Sequence, residues 1–169
     1  MHQVTDTSVV VLIGPMGVGK TTVGKKLAKS LKRTFIDTDA EVVAKHGEIT
    51  DIVTKQGMPA FRSYEEEAMA EAISKPAVVA AGGGAVLSEL TRERLKDAIV
   101  IYLSTDGRHI KSRIVGTKRP LLQNGFDDWL RIYEERKPIY EQVADITINT
   151  SGQALSTTVN EIKEKLGLK

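Results

Sequence analysis

Gly14-Pro15-Met16-Gly17-Val18-Gly19-Lys20-Thr21 fits the phosphate-loop pattern G-x-x-x-x-G-K-[ST]. The run before it, Val9-Val10-Val11-Leu12-Ile13, is apolar, β-rich and of buried-strand length. After it, residues 22–32 carry Val23, Leu27 and Leu31 on one helical face. Strand, glycine loop and helix in that order turn a pattern match into a physical site. The glycines let backbone N–H groups turn inward onto phosphate oxygens, and the helix N-terminus adds the positive end of its dipole. Lys20 is placed to reach the β- and γ-phosphates, and Thr21 to offer its hydroxyl to a magnesium ion. The expected ligand is a nucleoside triphosphate, with Gly17, Val18, Gly19, Lys20, Thr21 and Thr22 around its phosphates.

The whole chain limits what such a site can serve. Its 169 residues suit one domain with a real core, and the apolar share of 41% is an ordinary globular value. Lysines and arginines number 24 against 22 acids, a balance that argues against nucleic-acid or anionic-membrane partners. There is no cysteine, which excludes disulfides, a thiolate nucleophile and cysteine-ligated zinc, and fits a reducing compartment. No stretch approaches the ~20 apolar residues of a membrane span. Residues 1–8 are polar and lack the apolar segment of a signal peptide, so a cytoplasmic protein is expected. His2, His46 and His109 have no partner at ligand spacing and receive no role.

Beyond the first helix, strand and helix alternate. A second strand is expected near 34–36. A short helix over 51–56 is capped by Thr50, and a longer one over 60–73 starts at Pro59. Further strands are read at 77–81, 99–103 and 146–148, with helices at 91–96, from Asp106 to about 115, and at 127–137 stopping before Pro138. A last amphipathic helix carries Leu155, Val159, Ile162 and Leu166. This order implies an α/β fold: a parallel sheet covered by helices on both faces, with ligands beyond the carboxyl ends of its strands. The groups that follow strand ends should therefore converge: the phosphate loop, Asp37 with Asp39, and Gly82-Gly83-Gly84.

Many phosphate-loop ATPases place a magnesium-orienting aspartate at the end of a later strand. Here the strand at 77–81 runs into glycines, and the nearest suitable carboxylates are in Phe35-Ile36-Asp37-Thr38-Asp39. At i, i+2 in an extended stretch both would point the same way, one near magnesium and one accepting a proton from an attacking hydroxyl. Asp39 also stands where a helix cap would, before Ala40-Glu41-Val42. The glycine triplet serves either close backbone approach to a ligand or to the phosphate loop, or a flexible turn. Arg62, read at a helix start where its charge opposes the dipole, is available to grip an anion with Glu65 orienting it. The alternative is a surface i, i+3 ion pair. Arg119, in the glycine-bounded loop Gly116-Thr117-Lys118-Arg119-Pro120-Leu121-Leu122, suits a closing lid that stabilises charge on a transferring phosphoryl group. Arg136 is read near a helix end, where a cation is also ordinary.

These elements in this order resemble shikimate kinase. The resemblance rests on the phosphate loop, Asp37-Thr38-Asp39, Arg62-x-x-Glu65 leading to Gly82-Gly83-Gly84, and Arg119-Pro120-Leu121-Leu122 with Arg136-x-Pro138-x-Tyr140. It covers about residues 9–166. It implies a nucleoside-monophosphate-kinase-like P-loop three-layer sandwich with a central five-stranded parallel sheet, one domain over residues 1–169 and a lid at about 114–125. It implies ATP and Mg2+ as cofactors and phosphorylation of the 3-hydroxyl of shikimate by a monomer. By the same resemblance Asp39 is the base at the acceptor hydroxyl, Asp37 lies near the magnesium, Arg62 and Arg136 grip the substrate carboxylate, and Gly83 adds a backbone contact. Arg119 meets ATP phosphates from the lid, Arg113 packs on adenine, and Gln153 approaches it. Met58-Pro59 and Ala81 depart from the family pattern without removing a group needed for chemistry. The competing readings are a gluconate kinase, a nucleotide-dependent sensor without turnover, and a nucleic-acid-dependent ATPase. Paired arginines and the triple glycine oppose the first, the joint presence of Lys20, Thr21, Asp39 and Arg119 the second, and near-neutral charge the third.

Overall fold

The computed structural model describes residues 4, 5, 8–114 and 122–168. In chain order the elements are β1 (Val10–Ile13), α1 (Lys20–Leu31), β2 (Phe35–Asp37), α2 (Thr38–His46), α3 (Ile49–Gln56), α4 (Met58–Ile73) and β3 (Val78–Ala80). A 3-10 turn (Ala85–Leu87) follows, then α5 (Glu89–Leu95), β4 (Ile99–Ser104), α6 (Ile110–Ile114), α7 (Phe126–Val143), β5 (Ile146–Asn149) and α8 (Leu155–Lys165). Among the described residues the strands form one sheet in the order β2-β3-β1-β4-β5, and every pairing is parallel.

Alternation along the buried strands divides the core into two layers. Val11 and Ile13 of β1 face the cluster that includes Met69, Leu95, Trp129 and Tyr140, whereas Val10 and Leu12 face Val23, Leu27, Val159 and Ile162. Helices α1 and α8 thus cover one face, and α4, α5 and α7 the other. A third cluster, Val42, Ile52, Phe61 and Ala68, holds α2, α3 and α4 together. Register sets the height of the functional loops. Asp37 pairs with Ala80, Ala80 with Leu12, and Leu12 with Ile101. Asp39, Gly82 and Gly14 each stand two residues beyond members of that row, so the three loops leave the sheet at one level.

Several boundaries differ from the sequence expectation. Helix α7 does not stop before Pro138 but runs through it to Val143. An interior proline costs a helix about 3 kcal/mol or more. Here the following turn is held from outside, because Tyr140 is buried, stacks on Tyr102 at 5.2 Å and bonds to the glycine triplet. Helix α3 begins at Ile49, with Glu48 as its cap residue; Thr50 lies inside the helix, and Ile49 packs against the small cluster. Helix α5 begins at Glu89, before the expected 91, and Ser88 caps it by accepting the Thr91 N–H. Asp106 closes a local turn by accepting the Arg108 N–H, and α6 starts only at Ile110.

Candidate active site

The phosphate loop joins β1 to α1, with Gly17 and Gly19 at φ 81° and 106°. Gly19 is the N-cap of α1, a left-handed position that any other residue would strain. The Lys20 ammonium donates to the carbonyls of Gly14 (2.6 Å) and Pro15 (2.9 Å), which ties the helix start to the loop's entrance. Arg113 donates to the Gly17 carbonyl (2.9 Å), and the Trp129 indole N–H donates to the Met16 carbonyl (2.7 Å). Val18 contributes only backbone, since its side chain is buried in the core.

Thr21 donates its hydroxyl to Asp37 Oδ2 at 2.9 Å. Asp37 ends β2 and caps α2, accepting the Ala40 N–H. Asp39 is therefore not the cap but a first-turn residue of α2. The extended i, i+2 geometry expected for the pair does not occur, because the helix starts at Thr38. Both carboxylates still reach one cleft, which they line with Met16, Gly17, Gly19, Lys20, Thr21, Thr22, Gly82, Gly83 and Arg113. Its volume is about 330 Å³, in the range of small-molecule sites. Leu155 lines it too, whereas Gln153 does not and donates instead to Thr158 Oγ1 (3.0 Å).

The glycine triplet is a close-approach site. A Cβ at Gly82 would stand 2.6 Å from Asp39 Oδ1 and 2.8 Å from Glu65 Oε2, and one at Gly84 would run into Arg62 Nη1. At Gly83 the same atom would meet Arg136 Nη1 and the Met16 side chain at 3.5 Å each. The triplet thus brings charged groups from α2, α4 and α7 against the phosphate loop. The Gly82 N–H donates to Thr38 Oγ1 (3.1 Å), and the Tyr140 hydroxyl donates to the Gly83 carbonyl (2.6 Å). Burial pushes the Tyr140 phenol up to about 12, so it stays a donor at neutral pH.

Arg62 lies in the second turn of α4, since that helix begins at Met58, and it donates to Glu65 Oε1 at 2.8 Å. The pair has the i, i+3 spacing of a surface bridge but is not one, because the Glu65 side chain is only 5% exposed. Arg136 stands mid-helix and is buried, so the helix-end reading does not apply. Arg119 lies outside the described residues, with most of the expected lid. Among the described residues no cluster of three histidine or acidic side chains could hold a metal, and Thr21 with Asp37 is the oxygen pair at the loop mouth.

Burial raises the Glu65 carboxyl above its ordinary 4.5; the Arg62 charge and hydrogen bond oppose this, and the nearby Asp39 adds to it. The folded chain therefore holds this proton more tightly than the unfolded chain. The contribution of Glu65 to stability is intact below the ordinary carboxylate range and is lost as pH rises through the raised value. In urea unfolding from about pH 4 to about pH 7, the wild type should lose stability relative to Glu65→Gln as pH rises. A gain with pH would mean that pairing with Arg62, not burial, governs the residue.

The shikimate kinase family model matches residues 16–167. This chain belongs to the shikimate kinase family. It is a kinase, a phosphotransferase that uses ATP with Mg2+. A shikimate kinase of Rhodococcus jostii (strain RHA1) is 41% identical over 92% of this chain and 96% of its own length. One from Thermobifida fusca (strain YX) is 44% identical over 83% and 84%. The structure of a shikimate kinase from Acinetobacter baumannii in complex with shikimate superposes with a TM-score of 0.90 at 39% identity, covering 95% of this chain and 94% of that one. The five-stranded parallel sheet is that of the family. Among the described residues of this shikimate kinase family member, no helix is long and apolar enough to cross a membrane.

Two groups in the site had little or no role in the sequence reading. Trp129 was not singled out, and Tyr140 appeared only as part of a motif. With Tyr133 and Arg136 they fall at i, i+4, i+7 and i+11, a helical stripe that is visible once α7 is allowed to continue through Pro138.

Proposed function

We propose that this chain transfers the γ-phosphoryl group of ATP to the 3-hydroxyl of shikimate, giving shikimate 3-phosphate and ADP on the route to aromatic amino acids. The observation that carries the reading is the glycine triplet, backed in turn by Asp39 and Glu65, by Arg136 and by Arg62. Two guanidiniums for a carboxylate and an aspartate for an alcohol suit a polyhydroxy-acid acceptor.

In this reading Arg62 and Arg136 hold the acceptor carboxylate, with Gly83 adding a backbone contact. Asp39 takes the hydroxyl proton as that oxygen bonds to the γ-phosphorus and the bond to the departing ADP oxygen breaks. Lys20 and the lid residue Arg119 balance charge on the transferring group, while Gly17 to Thr22 cradle the phosphates. Arg113 and Gln153 serve the adenine side. Hard oxygens at Thr21 and Asp37, 2.9 Å apart, fit magnesium, which takes few protein ligands and completes its shell with phosphate and water. When bound, the ion neutralises phosphate charge. The chain acts as one domain over residues 1–169, with its lid at about 114–125. It acts as a cytoplasmic monomer on a small molecule, not on nucleic acid, which its net charge of +2 supports.

The test is ADP release with ATP and magnesium against shikimate, gluconate and nucleoside monophosphates. Release should depend on shikimate. Clear turnover on another acceptor with none on shikimate would overturn the reading.

A further inference from the structure

We propose that Trp129 and Tyr140 are positioning residues, and that α7 acts as a ruler fixing the phosphate loop relative to the acceptor loop. The proposal rests on the function given above. Trp129 donates to the Met16 carbonyl of the donor loop, and Tyr140 donates to the Gly83 carbonyl of the acceptor loop. Each is only 1% exposed, and both project from one face of one helix. Their separation along that helix is about 16 Å at a rise of 1.5 Å per residue. Between them Arg136 reaches Gly83, so the anion grip hangs from the same rod.

Each bond also aims a donor. In a trans peptide the N–H points opposite to the C=O. Drawing the Met16 carbonyl onto α7 sends the Gly17 N–H the other way, and Met16 and Gly17 line the cleft. Drawing the Gly83 carbonyl onto α7 fixes the Gly84 N–H in the same manner, at a residue whose Cβ position is filled by the Arg62 guanidinium. The two loops approach each other closely at Gly83. A Cβ at Gly83 would lie 3.5 Å from the Met16 side chain and 3.7 Å from the Gly14 carbonyl. Such a contact resists closer approach but not sliding. Pairing of β1 with β3 sets where the two loops leave the sheet, and the bonds to α7 tether their tips beyond it.

The stripe contains its own control. Tyr133 lies between the two, is 5% exposed, and its hydroxyl bonds to that of Tyr102 and accepts the Thr105 N–H. Its hydroxyl is thus bonded to β4 and the residue after it, rather than to a carbonyl of either loop.

Trp129→Phe, Tyr140→Phe and Tyr133→Phe each remove a polar atom while keeping a buried ring. Shikimate phosphate and ADP are measured together, with the thermal midpoint as the check on folding. Trp129→Phe should raise the ATP KM, and Tyr140→Phe the shikimate KM. Each should lower kcat about tenfold, the scale expected when reacting groups lose sub-ångström alignment. In both, ADP formed per shikimate phosphate should rise above one, as water captures phosphoryl groups that a misaligned acceptor misses. Tyr133→Phe should keep that ratio at one. A ratio of one in both Trp129→Phe and Tyr140→Phe, or an equal rise in Tyr133→Phe, would overturn the proposal. Either loop variant alone decides its own half. Failure of the underlying function would look different, as absence of shikimate phosphate from the unmodified chain.

Discussion

Asp39→Asn is expected to lower kcat by about 10²–10⁴-fold, the range removed with a general base, while ATP affinity stays near that of the wild type. The substitution is nearly isosteric. It keeps the first-turn position in α2 and the space left by Gly82, and it removes the negative charge together with the ability to take a proton. The bonds from Lys20 to the Gly14 and Pro15 carbonyls and from Thr21 to Asp37 stay in place on the donor side. Steady-state kinetics with both substrates, paired with calorimetric ATP titration, separates the two effects. Equal loss of turnover and ATP affinity would assign Asp39 to the metal or to folding.

Gly82→Ala should cost about 10²-fold in kcat/KM, the penalty that a misplacement of about 1 Å in a site can exact. The new methyl would stand under 3 Å from oxygens of both Asp39 and Glu65, so at least one carboxylate must move. Those atoms are the ends of side chains, and Gly82 does not have the positive φ at which an alanine is strained. The fold should therefore yield little, leaving the thermal midpoint close to the wild type while activity falls. Gly84→Ala provides the contrast, since its methyl meets the Arg62 guanidinium and should act mainly on the shikimate KM. If the midpoint fell in step with activity, the triplet would be a folding element rather than a gap kept for charged groups.

The parts legible in the sequence were those whose signals are local. Strand, glycine loop and helix follow one another without a break, and the rule that ligands gather at strand ends placed Asp37, Asp39 and the triplet correctly. The geometry of the aspartates was not legible, because it depends on β2 ending and α2 beginning at adjacent residues. Their convergence comes from a cap and a first helical turn rather than from strand alternation. The proximity of Glu65 to Asp39 is created by Gly82 of a third segment, and no spacing within either motif encodes it. Pro138 misled for a related reason. Its local cost is real, but tertiary contacts through Tyr140 outweigh it, and cutting the helix there hid the stripe from Trp129 to Tyr140. Arg62 pairs with a buried Glu65 and Arg136 is itself buried, and each sits deeper in its helix than its sequence position indicated.

The bond from the Trp129 indole to Met16 also gives the molecule an optical property. The chain has a single tryptophan, and that residue is hydrogen-bonded to the phosphate loop and packed at 5.2 Å from the Tyr133 ring. Indole emission, excited to the red of tyrosine absorption, therefore originates at one place in the unmodified protein. A change in the polarity or hydrogen bonding of the Met16 peptide, such as nucleotide entry would bring, is reported without a label and without background from any second indole.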